Sequence, residues 1–310
     1  MALETVSEKG LVLLGCGKMG SAMLQGWLAD GLNTNSVYVL DPFPSKWLLG
    51  LAEKGLNLNK TLPQEPAVCI IAVKPQMMGE ALPSLKVIAK TNTIFLSIAA
   101  GTSIESFQSI LGSKCKIVRA MPNTPAAIGQ GISALIGNNN TSNKDVELCE
   151  ILLKAVGDTV ILDTEAQMDA VTAVSGSGPA YVFHLIETLA LAGEAQGLSA
   201  DLAMTLAKKT VAGAGALAFQ SEESPEQLRI NVTSPGGTTQ AALKVLMDSE
   251  TGFPKVLSEG VSAAANRSKE LGKTLVKFHL MILWRLMFVW VKLYEQNHSP
   301  KQGSLPISFG

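Results

Sequence analysis

Short, largely apolar runs alternate with stretches of helical periodicity through the first half of the chain. Seven of these runs have the length and composition of strands: residues 11–14, 37–40, 68–73, 94–98, 116–119, 132–136 and 159–162. The continuous run at 68–73 is typical of a strand that is covered on both faces. A helical pattern at 146–156 separates the last two. The alternation predicts an α/β domain with a doubly wound, mostly parallel sheet of eight strands that ends near residue 165.

In the second half the strand pattern stops, and long Ala- and Gly-rich segments with helical periodicity follow. We expect helices at 167–174, 180–196 and 199–219, with a turn at 175–179 (SGSGP) and with Ser199 capping the third helix. These helices are apolar around much of their circumference, so each needs a neighbour to cover it. The pattern therefore predicts an all-α domain through which two chains associate as a dimer.

The chain of 310 residues is 47% hydrophobic and carries a formal net charge of -1. These values allow a large core and provide no basic surface of the kind that nucleic-acid binding requires. The four cysteines include no C-x-x-C pair and no metal-ligand spacing. We therefore expect reduced thiols in a cytoplasmic protein, with no bound metal and no nucleic-acid partner.

A glycine-rich turn, residues 15–20 (GCGKMG), follows the first predicted strand and precedes a helical pattern. In this context Gly15 makes a tight turn, Gly17 lets the backbone approach a pyrophosphate, and Gly20 lets the helix pack closely on the strand. Asp41 ends the second predicted strand, where a carboxylate can meet the adenosine ribose of a dinucleotide. The combination predicts a Rossmann-type dinucleotide-binding domain.

Three residues bear on which nicotinamide dinucleotide binds. Asp41 would accept a hydrogen bond from a free ribose 2′-hydroxyl and would repel the 2′-phosphate of NADP. Ser45 and Lys46 follow in the same loop and could instead hold that phosphate. These residues leave NADPH and NADH as alternatives.

Three later predicted strands end in loops that are rich in proline and small residues. In an open parallel sheet, ligands bind beyond the carboxyl ends of the strands. The loops therefore predict a nicotinamide-side wall that contains Lys74 and Pro75, Ala99 and Ala100, and Asn123.

The predicted organisation has three parts: a dinucleotide-binding domain over 1–165, a helical dimerisation and substrate domain over 166–272, and an apolar, basic tail over 273–310. A membrane span in the tail is disfavoured because four titratable side chains interrupt it: Lys277, His279, Arg285 and Lys292. An interfacial helix and a reading-frame accident are the alternatives. We favour the accident and expect truncation after Gly272 to leave activity intact.

The stretch 231–239 (NVTSPGGTT) combines hydroxyls, a glycine pair and a predicted helix start. Thr238 or Thr239 is expected to cap the helix that follows. The backbone amides of Gly236 and Gly237 are then expected to point outward. A helix start of this kind binds a carboxylate or a phosphate through its unpaired donors.

Six motifs, in chain order, resemble the pyrroline-5-carboxylate reductase family: GCGKMG, AVKPQ, SIAAG, RAMPNTP, VTAVSGSGPAY and SPGGTT. The similarity runs from about Leu11 to about Gly272. It implies reduction of 1-pyrroline-5-carboxylate to L-proline, the last step of proline synthesis, by a nicotinamide cofactor that is commonly NADPH. It also implies that the helical domain interleaves with that of a second subunit, which completes the substrate site.

The resemblance implies roles for individual residues. Its cofactor contacts fall on Gly15, Gly17, Lys18, Met19 and Gly20 at the pyrophosphate, on Ala72, Val73 and Lys74 beside the ribose and the nicotinamide, and on Asn59 and Asn231. Its substrate positions fall on Glu165, Glu222, Thr238 and Thr239, with Ser177, Gly178 and Pro179 shaping the floor of the pocket. Asp41 departs from what many family members have, so the NADPH preference does not transfer directly.

Reduction of a cyclic imine needs a hydride donor over one ring face and a group that hydrogen-bonds the ring nitrogen. Thr239 is the candidate catalytic residue at the nitrogen, with the amides of Gly236 and Gly237 on the carboxylate. Related hydroxyacid dehydrogenases have a lysine where this chain has Val182, which disfavours alcohol oxidation. The alternatives are a reductase of another small imine and a non-catalytic, dinucleotide-sensing protein.

Overall fold

The computed structural model describes residues 2–272. Its strands are β1 (Leu11–Leu14), β2 (Val37–Leu40), β3 (Asn57–Leu58), β4 (Val68–Ile71), β5 (Ile94–Ser97), β6 (Lys116–Met121), β7 (Gly131–Gly137) and β8 (Gly157–Ile161). They form one sheet in the order β3-β2-β1-β4-β5-β6-β7-β8, with β6 and β7 antiparallel and the other neighbours parallel. The predicted doubly wound, mostly parallel sheet of eight strands is confirmed.

Strand β3 is the one that the hydrophobic pattern did not indicate. It is two residues long and pairs with Tyr38 and Val39 at the edge of the sheet. Asn57 Nδ2 supports it by donating a hydrogen bond to the Asn35 carbonyl at 2.8 Å. An edge strand of this length has no room for an apolar run.

Helices flank the sheet and then continue without it. They are α1 (Ala2–Lys9), α2 (Lys18–Ala29), α3 (Lys46–Glu53), α4 (Met78–Ala81), α5 (Ile104–Leu111), α6 (Asn143–Lys154), α7 (Met168–Val171), α8 (Gly178–Ala195), α9 (Ala200–Gln220), α10 (Pro225–Asn231), α11 (Thr238–Leu246) and α12 over residues 253–272. Short 3-10 turns lie at Thr34–Ser36, Pro75–Met77, Leu82–Val87, Thr124–Ile128 and Glu165–Gln167.

Helix α6 begins earlier than the predicted start at residue 146 because a capping box precedes the apolar pattern. Ser142 Oγ accepts the Asp145 backbone amide at 3.3 Å, and Asp145 Oδ2 accepts the Ser142 amide at 2.7 Å. Polar capping residues therefore extended the helix beyond its hydrophobic signal.

Alternate residues of β1 enter two cores, one on each face of the sheet. Leu13 packs in a cluster with residues of α2 and α6, whereas Val12 packs in a cluster with residues of α4 and α5. The Trp27 indole N–H donates to the Leu152 carbonyl at 2.8 Å and joins α2 to α6. The sheet half, from α1 to β8, therefore closes its own core within one chain.

The helical half, from α7 to α12, has a much smaller core within one chain. The buried members of its cluster are Ala190, Ala203 and Ala207. The small residues at 212–216 of α9 are exposed. Large apolar side chains on α8 and α9 are exposed as well, including Phe183, Leu191, Leu217 and Phe219. Such a surface is typical of one that a second subunit covers.

The predicted turn at residues 175–179 is wrong. Helix α7 continues through a π-helix, Thr172–Gly176, into α8. Ser177 keeps a helical backbone and donates its amide to the Thr172 carbonyl at 2.8 Å. Pro179 lies in the first turn of α8, where no amide donor is required. The glycine-rich stretch therefore makes a bulge in a continuous helical path.

The prediction that Ser199 caps α9 is met in position only. Ser199 occupies the N-cap position of α9, but its side chain accepts no capping hydrogen bond.

Within residues 2–272, no helix combines the length and the apolar character that crossing a membrane demands. The expectations for 273–310, including truncation after Gly272, lie outside the described residues, and the division at residue 165 stays a prediction.

Candidate active site

The glycine-rich turn between β1 and α2 is tightly packed on one side. Gly15 has a φ of +88°, and a Cβ atom added there would lie 2.8 Å from Val73 Cγ1. A Cβ atom on Gly20 would lie 2.6 Å from the Gly15 carbonyl oxygen. At Gly17 a Cβ atom would meet nothing within 4 Å. The turn is therefore closed against the segment that follows β4 and open toward a ligand at Gly17.

Unpaired backbone donors line the open side of this turn. The first hydrogen bond of α2 runs from the Ser21 amide to the Gly17 carbonyl at 2.8 Å. The amides of Lys18, Met19 and Gly20 have no acceptor among residues 2–272. The partial positive charge at the start of this 12-residue helix adds to the attraction for an anion. The open position and the free amides fit a dinucleotide pyrophosphate.

Asp41 connects the glycine-rich turn to the loop after β2. Its Oδ2 accepts the Cys16 backbone amide and its Oδ1 accepts the Phe43 backbone amide, both at 2.8 Å. Asn59 brackets the backbone of Asp41, because Asn59 Oδ1 accepts the Asp41 amide at 2.9 Å and Asn59 Nδ2 donates to the Asp41 carbonyl at 2.8 Å. These two residues therefore fix the geometry of the turn, a role that spacing alone did not indicate.

Cys16, at the second position of the turn, is a neutral thiol. Burial raises the pKa of Cys16, the contact with Ser21 Oγ at 3.5 Å opposes that rise, and the nearby Asp41 carboxylate adds to it. A protonated thiol is a poor nucleophile. Cys16 therefore contributes packing to the turn, and all four cysteines are free and buried.

The loop after β2 leads into α3 beside the expected adenosine end of a cofactor. Ser45 is the N-cap residue, and its Oγ accepts the Leu48 amide at 3.2 Å. Lys46 is the first residue of α3 and is exposed. Phe43 lies in the same loop with 86% of its surface exposed. A capped helix start with an exposed lysine can receive a phosphate.

The candidate contacts on the nicotinamide side follow β4 and β5, as the loop pattern predicts. The Ala72 amide donates to the Leu14 carbonyl at 2.8 Å, which continues the pairing of β1 with β4 beyond the strand end. Val73 and Lys74 follow, and Lys74 precedes the Pro75–Met77 turn. Beyond β5, the Ala99 amide donates to Ser97 Oγ at 3.3 Å, and Ala100 is the next residue.

Asn123 connects the end of β6 to the helical half. Its Nδ2 donates to the Ser175 carbonyl at 3.1 Å, and its Oδ1 accepts the Ile132 amide at 3.0 Å. With Gly178 and Pro179 it also lines an 830 Å³ groove that is otherwise largely apolar. Both polar ends of the Asn123 side chain are therefore engaged within the protein.

The 231–239 stretch ends α10 and begins α11. Gly237, rather than Thr238 or Thr239, is the N-cap residue, and it has no side chain to cap with. The prediction of a threonine cap is therefore wrong. The two threonines occupy the first turn of the helix, where Thr238 is exposed and Thr239 is half-buried.

The prediction that the glycine-pair amides point outward is also wrong. The Gly236 amide donates to Gln240 Oε1 at 2.7 Å, and the Gly237 amide donates to the Ser234 carbonyl at 3.0 Å. Gln240 is the third residue of α11, and a side chain at this position commonly returns to bond a preceding amide. The free donors are instead the amides of residues 238–240, which have no acceptor in the described part of the chain.

A 550 Å³ cavity adjoins this helix start. Its lining comes from residues 229–247 and includes Gly236, Gly237 and the cationic side chains Arg229 and Lys244. No residue of the sheet half lines it. Among the described residues of one chain, therefore, this cavity and the glycine-rich turn do not form one site. Residues 2–272 also contain no group of three or more His, Cys, Asp or Glu arranged to hold a metal ion.

The remaining candidates have different surroundings. Glu165 accepts a hydrogen bond from Arg119 Nη1 at 2.7 Å. Glu222 is exposed. Asn231 Nδ2 donates to Glu223 Oε2 at 3.0 Å. The sequence motifs did not single out Arg119 as a candidate, although a charged residue within an apolar strand pattern is a detectable signal.

Two family models match the two halves of the chain. One, described as NADP oxidoreductase coenzyme F420-dependent, matches residues 10–101. The other, described as pyrroline-5-carboxylate reductase dimerisation, matches residues 165–271. Together with the open pyrophosphate cradle and the uncovered helical surface, these matches define the class as an oxidoreductase with a Rossmann domain and a helical dimerisation domain.

Relatives and solved structures narrow this class. The pyrroline-5-carboxylate reductase of Pseudomonas aeruginosa is 38% identical over 87% of this chain and 99% of its own length. The solved reductase of Coxiella burnetii has a TM-score of 0.78 at 34% identity, over 85% of this chain and 98% of that one. The solved reductase of Plasmodium falciparum, with NADP bound, has a TM-score of 0.74 at 30% identity, over 86% of this chain and 99% of that one. The chain belongs to the pyrroline-5-carboxylate reductase family.

Proposed function

We propose that the chain reduces 1-pyrroline-5-carboxylate to L-proline with NADPH, as the last step of proline biosynthesis. The observation that carries this proposal is the presence in one chain of an open pyrophosphate cradle at Gly17 and a helix start with free amides at 238–240. The names of the relatives supply the substrate. A cytoplasmic location fits the four free, buried thiols.

The sheet half holds the cofactor in this proposal. The amides of Lys18, Met19 and Gly20 bind the pyrophosphate beside Gly17. The nicotinamide end adjoins the segments after β4 and β5, which contain Ala72, Val73, Lys74, Pro75, Ala99 and Ala100. Reduced nicotinamide, when bound, supplies the hydride.

NADPH is favoured over NADH by the surroundings of Asp41. Both of its carboxylate oxygens already accept backbone amides, so a structural role accounts for the carboxylate. Ser45 and Lys46 at the start of α3 can receive a 2′-phosphate. The NADP that is bound in the Plasmodium falciparum relative supports the same preference.

The helical half holds the substrate in this proposal. Amides of residues 238–240 bind the carboxylate, taking the role first expected of Gly236 and Gly237, with Arg229 and Lys244 adding positive charge to the cavity. Thr239 donates a hydrogen bond to the ring nitrogen. A cyclic imine is basic enough to be protonated near neutral pH, so orientation matters more than strong acid catalysis.

Other candidates keep supporting places in this scheme. Glu165 and Glu222 are proposed at the edge of the substrate site, with Ser177, Gly178 and Pro179 at its floor. Asn123 and Asn231 are proposed between substrate and cofactor, which requires their present hydrogen bonds to be exchanged.

The two half-sites are proposed to meet across subunits. Among residues 2–272 of one chain, the cavity at α11 is lined only by residues 229–247. The apolar surface of α8 and α9 is uncovered, as a dimerisation surface would be. We therefore place the sheet half of one subunit opposite the helical half of another.

The direct test mixes the protein with 1-pyrroline-5-carboxylate and either NADPH or NADH. The expected result is loss of the absorbance of reduced nicotinamide, with L-proline identified by mass spectrometry and NADPH as the faster donor. Absence of consumption with both donors excludes a reductase. Consumption with another cyclic imine in preference indicates the alternative reductase, and binding without turnover indicates a sensing protein.

Substitution of Thr239 tests the site itself. Thr239→Ala is expected to lower turnover roughly tenfold to a hundredfold and to weaken substrate binding, because the donor to the ring nitrogen is lost. Affinity for NADPH should be unchanged. Thr239→Ser is the matched control, since it keeps the hydroxyl and should retain most activity. Equal losses in the two variants would contradict a role for the hydroxyl.

A further inference from the structure

A buried guanidinium lies on β6, three strands away from β1 in the sheet order. Arg119 is 6% exposed, and its Nη1 lies 2.7 Å from Glu165 Oε1. Its neighbours in the sheet are Ser97 on β5 and Ile136 on β7. Removal of one member of such a buried pair leaves the other charge uncompensated.

Glu165 connects Arg119 to a third element. The same Oε1 atom accepts the backbone amide of Ile104, the first residue of α5, at 2.9 Å. A carboxylate at this position complements the partial positive charge of a helix N-terminus. Glu165 also begins the 3-10 turn that leads into the helical half. The pair therefore fixes β6, the start of α5 and the entry to the helical half relative to one another.

The segment 99–103, immediately before α5, is held from other directions as well. The Ala99 amide donates to Ser97 Oγ at 3.3 Å. Gly101, with a φ of +71°, packs against Leu271 of α12, because an added Cβ atom would lie 3.0 Å from Leu271 Cβ. The geometry of the 99–103 segment thus depends on contacts with the sheet and with the helical half. The Glu165 carboxylate holds the residue that follows the segment, Ile104.

We propose that Arg119, acting through Glu165, is a positioning residue for the nicotinamide end of the cofactor. This inference rests on the proposed function. A dinucleotide crosses a doubly wound sheet where the strand order reverses, which here is between β1 and β4. The adenosine half then lies toward β2 and the nicotinamide half toward β4 and β5, so that the 99–103 segment adjoins the nicotinamide. Loss of the guanidinium frees this segment without disturbing the pyrophosphate turn.

The test uses two ligands that differ in the nicotinamide: NADPH, and 2′-phospho-ADP-ribose, which lacks it. Dissociation constants for both are measured on the full chain and its variants. Arg119→Met removes the charge and keeps a long apolar stem, whereas Arg119→Lys keeps the charge. Lys116→Met is the matched control, because it removes the other ion pair of β6, in which Lys116 Nζ lies 3.1 Å from Asp145 Oδ1.

Arg119→Met is expected to weaken NADPH binding about tenfold and to change binding of the fragment by less than about twofold. Arg119→Lys should recover most of the NADPH affinity, and Lys116→Met should leave both ligands unaffected. A general loss of domain integrity would weaken both ligands equally. Equal weakening, or no change for either ligand, would overturn the proposal.

Thermal unfolding of each variant shows whether it is folded. If Arg119→Met does not fold, Glu165→Gln supplies the same ratio of the two affinities, and a ratio in Glu165→Gln equal to that of the wild type contradicts the proposal. Wild-type oxidation of NADPH with 1-pyrroline-5-carboxylate is followed in parallel. If the wild type turns over substrate but the ratio is unchanged in Arg119→Met and Glu165→Gln, only the role of Arg119 is contradicted. Absence of NADPH binding by the wild type contradicts both proposals.

Discussion

The two halves of the chain bury their apolar residues in different ways. In the sheet half, Trp27 and Phe107 are fully enclosed in clusters on opposite faces of one sheet. In the helical half, the enclosed cluster consists of three alanines, while Phe183 and Phe219 are exposed. A sheet with helices on both faces completes its layers alone, whereas a single layer of helices needs another layer to cover it. The helical half therefore depends on a second subunit.

A charge in the uncovered apolar groove should disrupt the association of the two subunits, and this is the largest effect that we expect. Phe183 lines the 830 Å³ groove and is 58% exposed in one chain. Phe183→Glu would bury an unpaired carboxylate in the dimer, at a cost of several kcal/mol, so we expect dissociation and an activity loss of about a hundredfold or more. Light scattering after size exclusion measures the mass, and the reductase assay measures the activity.

Val87→Glu provides the control on the sheet half. Val87 is exposed as well, but it belongs to the Leu82–Val87 turn, whose Leu82 and Leu85 are buried in the core of one chain. Its substitution should leave mass and activity unchanged. Retention of a dimer by Phe183→Glu, or dissociation by both variants, would contradict the difference between the halves.

A cavity in the sheet core should destabilise the protein without changing its assembly. Leu13 is fully buried on β1. Leu13→Ala is expected to lower the free energy of unfolding by about 2–5 kcal/mol, because a cavity remains where the side chain was. Denaturant unfolding at one fixed protein concentration measures this change. Leu49→Ala, at a half-exposed position on α3, should cost less than about 0.5 kcal/mol, and equal costs would argue against the assigned core.

Removal of the Asp41 carboxylate should affect the cofactor and not the dimer. In Asp41→Ala the backbone amides of Cys16 and Phe43 lose their acceptor, and the pyrophosphate turn loosens. We expect NADPH and NADH to bind more weakly by the same factor, about tenfold. Titration of both nucleotides measures it, with Asp30→Ala at the other end of α2 as the control. A loss confined to NADH would instead assign Asp41 to the ribose 2′-hydroxyl.

Much of the sheet could be predicted because each buried strand leaves a local signal. A run such as residues 68–71 must be apolar when both faces are covered. The two-residue strand β3 left no signal because it is held by pairing with β2 and by the side-chain hydrogen bond of Asn57, and neither requires an apolar run. The SGSGP stretch was misread as a turn because local glycine content does not reveal that Gly176 packs against Met121 within a continuous helical path.

The site was predictable where function depends on backbone shape. Glycines at fixed spacing after a strand indicate the cradle, since close approach needs small residues. Side-chain partners were not predictable, because they depend on contacts between distant segments. Asp41 with Cys16, Gln240 with Gly236, and Arg119 with Glu165 are hydrogen bonds that only the folded chain brings together.

Mixed dimers test the central claim most directly, namely that the sheet half of one subunit works with the helical half of the other. Gly17→Val should block the pyrophosphate cradle without backbone strain, since φ at Gly17 is -71°. Thr239→Ala should disable the substrate half. Each variant alone is expected to be nearly inactive. After subunit exchange, half of the dimers are mixed and each has one intact shared site, so about a quarter of wild-type activity should return. No recovery despite demonstrated exchange would place the site within one chain and contradict the account.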